Sequence, residues 1–228
     1  MVAVCFDLDG TLYDDRTYVK KGFQNAAAHL RSEYGIETFD DMVWEYAVKR
    51  NFETVFDQII ASYNIPETEL ADLIAAYHRE TPDISPYPET ETVLTTLADS
   101  CQTAVVTGGK HGEKKLQLLG IADAFDEVYV APDNDTSKRE PMPFETVLDT
   151  LEVDPQQAVF VGDNPELDFY WPNNLGMTTV WVRRPHTLFD SPDSPEARPD
   201  YVLPDLSLTP EIIHTVFDTS AACSRKLE

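Results

Sequence analysis

The sequence predicts an α/β fold, a doubly wound, Rossmann-like parallel sheet with a small all-helical domain inserted into it. Three observations predict this. The chain opens on an apolar run, Val2-Ala3-Val4-Cys5-Phe6, of the kind buried on both faces of a parallel sheet. Helical periodicity then runs on for about seventy residues without a strand. From Glu89 onward, helical and strand-like segments alternate, the pattern of βαβ units.

The elements follow in order. Val19, Phe23, Ala26, Ala27, Leu30 and Tyr34 recur at helical spacing, and Gly35 ends that helix. A second helix spans 39–50. A third carries Phe52, Val55, Phe56, Ile59, Ile60 and Tyr63. Pro66 starts a fourth, with Leu70, Leu73, Ile74 and Tyr77. The aromatics Phe23, Trp44, Phe52 and Phe56 form the expected core of this block. Pro82, Pro86 and Pro88 make a stiff return segment. The division is therefore 1–14 and 83–228 for the sheet domain and 15–82 for a helical cap.

Beyond it, a helix holds Val93, Leu94 and Leu97, and 103–106 is a strand. A helix over 112–119 ends at Gly120, 127–131 is a strand, and a helix follows Pro143. Strands over 158–161, 178–182 and 201–203 and a last helix after Pro210 complete the pattern. Pro172 is expected to cut or kink the short helix after the 158–161 strand.

The 228 residues carry 41 Asp and Glu against 17 Lys and Arg, a formal net charge of −24. Such a field repels nucleic acid and anionic membranes, and a phosphorylated ligand would need a local lysine or metal. The acidity is spread along the chain, as suits a surface in high salt. At 42% hydrophobic residues, a sizeable core is available. Three widely spaced cysteines, Cys5, Cys101 and Cys223, fit neither a disulfide framework nor a zinc site. The amino terminus runs straight into a strand, which leaves no room for a signal peptide, and no segment is long enough to span a bilayer. A soluble cytoplasmic protein is expected.

Three strands end in residues suited to chemistry, and parallel strands bring these ends to one edge. Asp7 and Asp9, at i and i+2 of an extended segment, face the same way and suit a hard cation such as Mg²⁺. Thr107, Gly108 and Gly109 offer a hydroxyl and backbone N–H groups for phosphate oxygens. Asp163 completes a metal site, Lys138 supplies positive charge, and Asp168 orients Lys138 or a metal-bound water. In phosphoryl transfer Asp7 is the nucleophile and Asp9 the proton donor and acceptor. His111, Lys110, Arg183 and Arg184 read as loop charges.

Asp7-Leu8-Asp9-Gly10-Thr11, Thr107-Gly108, Lys138 and Gly162-Asp163-Asn164-Pro165-Glu166-Leu167-Asp168 together resemble the four motifs of the haloacid dehalogenase-like hydrolase superfamily. They stand in the right order, with a helical cap between the first and second. The resemblance implies a Mg²⁺-dependent phosphatase acting on a small phosphorylated metabolite, similar to phosphoglycolate phosphatases or nucleotidases. It implies metal ligation by Asp7, the backbone carbonyl of Asp9, and Asp163. The third motif departs from the usual Lys-Pro-Asp-Pro, reading Lys138-Arg139-Glu140-Pro141, and Arg139 is a rival to Lys138. A phosphomutase of the same superfamily is the alternative. A dehalogenase is disfavoured by Asp9, and a non-catalytic binding protein by the intact acidic set.

Overall fold

The computed structural model describes residues 1–49 and 54–217. The predicted positions at Arg50, Phe52 and Cys223 lie outside the described residues. The chain divides into two compact units, Met1–Asp14 with Ser85–Glu228, and Asp15–Ile84.

The first unit is a six-stranded, all-parallel sheet in the order β3-β2-β1-β4-β5-β6. Its strands are β1 Val2–Phe6, β2 Cys101–Thr107, β3 Glu127–Val130, β4 Ala158–Gly162, β5 Thr178–Val182 and β6 Tyr201–Leu203. The fold class read from sequence is the fold observed. Ala3, Val4, Cys5 and Phe6 are all buried, so β1 has no wet face. Ala3 and Cys5 join Val106, Phe144, Val147 and Phe160 in one core cluster, placing the helix α7 (Met142–Leu151) on that face. Val4 and Phe6 point to the opposite face. The helix α5 (Thr90–Ala98), with Val93, Leu94 and Leu97 buried outside that cluster, packs against β2. The strand order reverses direction between β1 and β4, which opens a crevice at their carboxyl ends.

Just past β1 the chain turns back on itself. Tyr13 bridges Pro86, and the Tyr87 N–H donates to the Leu12 carbonyl at 3.0 Å. Arg184, read from sequence as a loop charge, is buried here. Its guanidinium stacks 3.4 Å from the Tyr87 ring centre and pairs with Glu89 at 2.7 Å.

Helix α8 (Pro165–Asp168) breaks at Phe169, and α9 (Tyr170–Leu175) resumes. The expected break at Pro172 is displaced to Phe169 for a steric reason. A proline ring collides with the carbonyl four residues earlier, here that of Asp168, so no helix can run continuously from Asp168 to Pro172. Pro172 then sits in the first turn of α9, where its missing N–H costs nothing.

The second unit is helical: α1 Arg16–Tyr34, α2 Phe39–Val43, α3 Val55–Tyr63 and α4 Leu70–Tyr77. Phe23, Leu30, Met42, Ile59, Ile60 and Leu73 form its core. The Tyr77 ring packs edge-on against Phe23 and Phe56, with centroids 5.7 and 5.8 Å apart. Trp44, expected in this core, is 55% exposed. It begins a π-helical turn, Trp44–Val48, in which the Lys49 N–H reaches back to the Trp44 carbonyl. The extra residue per turn shifts the phase of the apolar stripe and carries Trp44 outward. Among the described residues, no helix is long and apolar enough to cross a membrane. The remaining helices are α6 (Gly112–Leu119) and α10 (Thr209–Phe217), both in the sheet unit.

Candidate active site

The site is built at the crevice between β1 and β4. The ladder extends one residue beyond β1, because the Asp7 N–H donates to the Val161 carbonyl at 2.8 Å. That bond fixes the backbone under the Asp7 carboxylate. Gly10, at φ +83°, makes the turn that follows, and a Cβ there would lie 2.5 Å from Asp163 Oδ2. Only glycine lets the first loop pass so close to the end of β4. On the β4 side, the Trp181 indole N–H donates to the Asp163 carbonyl at 2.9 Å.

Lys138 reaches this point from the loop before α7. Its Nζ lies 2.7 Å from Asp7 Oδ1 and also pairs with Asp168 Oδ1. Asp168 Oδ2 accepts from the Asn164 N–H at 2.8 Å. The Asp7, Lys138 and Asp168 side chains are all buried. The ammonium stands 5.1 Å over the Phe160 ring. Arg139, the rival cation, is exposed, and its guanidinium lies 4.0 Å from Glu166. The Trp171 indole N–H holds the Arg139 carbonyl at 2.7 Å, which secures the loop despite its unusual sequence.

Thr107 ends β2 beside β1. Its Oγ1 accepts from the Gly109 N–H at 3.1 Å, so the hydroxyl shapes the loop, and that N–H, expected to face phosphate, is directed at Thr107. The Gly108 position lies against the Lys138 stem, with 3.5 Å between a Cβ built there and Lys138 Cδ.

Burial sets the electrostatics. The Asp7 carboxyl is pushed up to about 7, because burial and the Asp168 and Asp9 charges, burial foremost, outweigh the pull of the Lys138 ammonium. For Lys138, burial disfavours the charged form, yet Asp168 and Asp7 together hold its pKa above the ordinary lysine value. Asp7, Asp163 and Asp168 each bring a carboxylate oxygen within 4.8 Å of the others. Such an all-oxygen, negatively charged set suits Mg²⁺. A divalent cation would relieve the repulsion that raises Asp7, so the residues fit the metal.

Two further residues, both missed in the sequence, touch Asp9. Lys115 of α6 sets its Nζ 2.6 Å from Asp9 Oδ1 and 2.9 Å from Oδ2. The Tyr13 hydroxyl donates to Oδ1. The signal for Lys115 was present: Gly112, Lys115, Leu116 and Leu119 form the buried stripe of α6, and a lysine there is out of place.

A family model of haloacid dehalogenase-like hydrolases matches residues 4–182. The chain belongs to the haloacid dehalogenase-like hydrolases. It is therefore an enzyme of that hydrolase family, and its relatives point the same way. Glyceraldehyde 3-phosphate phosphatase from Methanopyrus kandleri is 31% identical over 217 residues, spanning 87% of this chain and 91% of the relative. The protein of the same name from Pyrococcus furiosus is 28% identical over 199 residues, 79% of this chain and 80% of the relative. The crystal structure of a HAD phosphatase from Thermococcus onnurineus is 27% identical, with a TM-score of 0.66 over 93% of this chain and 98% of that one. In this haloacid dehalogenase-like hydrolase, Tyr13 and Lys115 lie outside all four sequence motifs.

Proposed function

We propose that this hydrolase is a Mg²⁺-dependent phosphomonoesterase acting on a small phosphorylated metabolite through an aspartyl-phosphate on Asp7. One observation carries the reading: the buried Asp7 carboxylate, at a strand end, pairs with Lys138 and has carboxylate oxygens of Asp163 and Asp168 within 4.8 Å. Asp7 and Asp163, with the backbone carbonyl of Asp9, would hold Mg²⁺, which supplies charge neutralisation at the phosphoryl oxygens.

This chain's residues then divide the work. An Asp7 oxygen attacks phosphorus and the ester P–O bond breaks. The departing oxygen takes a proton from Asp9. Water next attacks the phosphoryl group, giving its proton to Asp9, and the bond from Asp7 to phosphorus breaks to release phosphate. Lys138 and the loop at Thr107 and Gly108 position the phosphoryl oxygens, with Asp168 holding Lys138 in place. The helical unit serves as a cap that excludes bulk water and selects the leaving group. The names of the relatives make a three-carbon sugar phosphate the first substrate to try. The net charge of −24 disfavours nucleic acid and anionic membranes as partners and leaves Lys138 and the metal to attract a small phosphorylated metabolite.

The test is hydrolysis of p-nitrophenyl phosphate with and without Mg²⁺, alongside a panel of phosphorylated metabolites. Asp7→Asn is expected to lower kcat by about 10³-fold or more with the melting temperature retained. Unchanged turnover in that variant would sink the covalent mechanism, and turnover unaffected by EDTA would sink the metal.

A further inference from the structure

The Asp9 side chain is gripped from the interior by two residues. The Lys115 ammonium spans both carboxylate oxygens, at 2.6 and 2.9 Å, and the Tyr13 hydroxyl donates to Oδ1. Both partners are buried, while the Asp9 side chain keeps 24% of its surface exposed. The second loop is shaped around this contact. A Cβ on Gly109 would stand 2.3 Å from Asp9 Oδ2 and 3.1 Å from Lys115 Nζ.

Stability does not explain the lysine. Its position belongs to the apolar stripe of α6, where a leucine or methionine would pack without the desolvation that a buried ammonium suffers. What the lysine adds is orientation. A short carboxylate at a strand end has three staggered χ1 wells open to it, and an ammonium across both oxygens holds it in one.

We propose that Lys115, assisted by Tyr13, is a positioning residue that holds the Asp9 carboxylate toward the oxygen leaving phosphorus. The inference rests on the proton-transfer role given to Asp9 above. It makes a demand that a merely structural lysine would not meet. Loss of Lys115 must hurt substrates in proportion to how much their leaving group needs a proton.

The experiment compares p-nitrophenyl phosphate, whose leaving group departs unaided, with phenyl phosphate, nearly the same shape with a more basic leaving oxygen. Wild type, Lys115→Met, Asp9→Asn and the double variant are assayed on both. Lys115→Met is expected to lower kcat/KM, which reports the step that expels the leaving group, roughly 10- to 100-fold on phenyl phosphate and less than about threefold on p-nitrophenyl phosphate. In the Asp9→Asn background the same substitution should add nothing further, because the group it positions is gone. Lys115→Arg should restore part of the phenyl phosphate rate. Equal losses on both substrates, or a full additional loss in the Asp9→Asn background, overturn the proposal. Should Lys115→Met fail to fold, Tyr13→Phe, which removes only the hydroxyl on Asp9, carries the same two comparisons. An inactive wild type would overturn the functional reading and this proposal with it; an active wild type with Lys115 uncoupled from Asp9 overturns this proposal alone.

Discussion

The sheet unit gathers ionised side chains in its interior at one edge, whereas the helical unit, among the described residues, packs an apolar interior and sets the Arg31–Glu37 pair in water. At the sheet edge, Lys138 with Asp7 and Asp168, and Lys115 with Asp9, are buried or nearly so. In the helical unit, Arg31 with Glu37 is exposed, Lys21 with Glu80 is half-buried on the lysine side, and the interior is Phe23, Leu30, Met42, Ile59 and Leu73. Removing ions from water costs more than their pairing returns in many cases, and exposed pairs contribute little. The helical unit is built for packing. The sheet edge accepts an electrostatic cost, in keeping with the catalytic role proposed for it.

The contrast can be broken most forcefully at Lys138. Lys138→Met leaves Asp7 and Asp168 without their shared cation. It is expected to lower kcat on p-nitrophenyl phosphate by about 10²-fold or more, and to reduce unfolding free energy by about 3 kcal/mol in urea titrations. Full activity in this variant would remove the phosphoryl-positioning role.

In the helical unit the effects should separate. Leu30 is fully buried there. Leu30→Ala is expected to cost about 3 kcal/mol of that unit's stability through lost burial and a cavity, while p-nitrophenyl phosphate turnover measured well below the transition stays near wild type. A large loss of turnover without loss of stability would show that the packing of this unit also shapes the chemistry. The smallest effect belongs to Arg31→Ala. Its exposed pair with Glu37 should leave the melting temperature unmoved at physiological salt, and a clear drop would contradict the division drawn above.

The two units also differ in how far they can be read from sequence. The convergence of Asp7, Thr107, Lys138 and Asp163 was legible because each ends or follows a strand or precedes a helix, and a parallel sheet brings such ends together whatever the details of packing, while Asp168 was read from the motif that runs on from β4 into α8. The six strands were legible because they are short apolar runs between helices. Lys115 was not, although its stripe position was a signal, because a charged residue on a helix normally faces water. Arg184 was hidden for a related reason: a planar guanidinium on the Tyr87 ring can be buried in a way that composition does not reveal. Trp44 failed differently. Periodicity assumes a constant helical pitch, and the π-turn at Trp44–Val48 breaks that assumption.

The clasp at Leu12, Tyr13, Pro86 and Tyr87 has one more consequence. It joins the two strands of chain that lead into and out of the helical unit, and all of its bonds lie within the sheet unit. The entropic cost of closing a loop grows only slowly with its length once its ends are fastened. Positions 14 and 85 therefore behave as a socket, into which inserts of very different size can be plugged without re-founding the sheet. A scaffold wired in this way could change what it recognises by exchanging one cassette, while the strand-end carboxylates and lysines proposed to carry the reaction stay untouched.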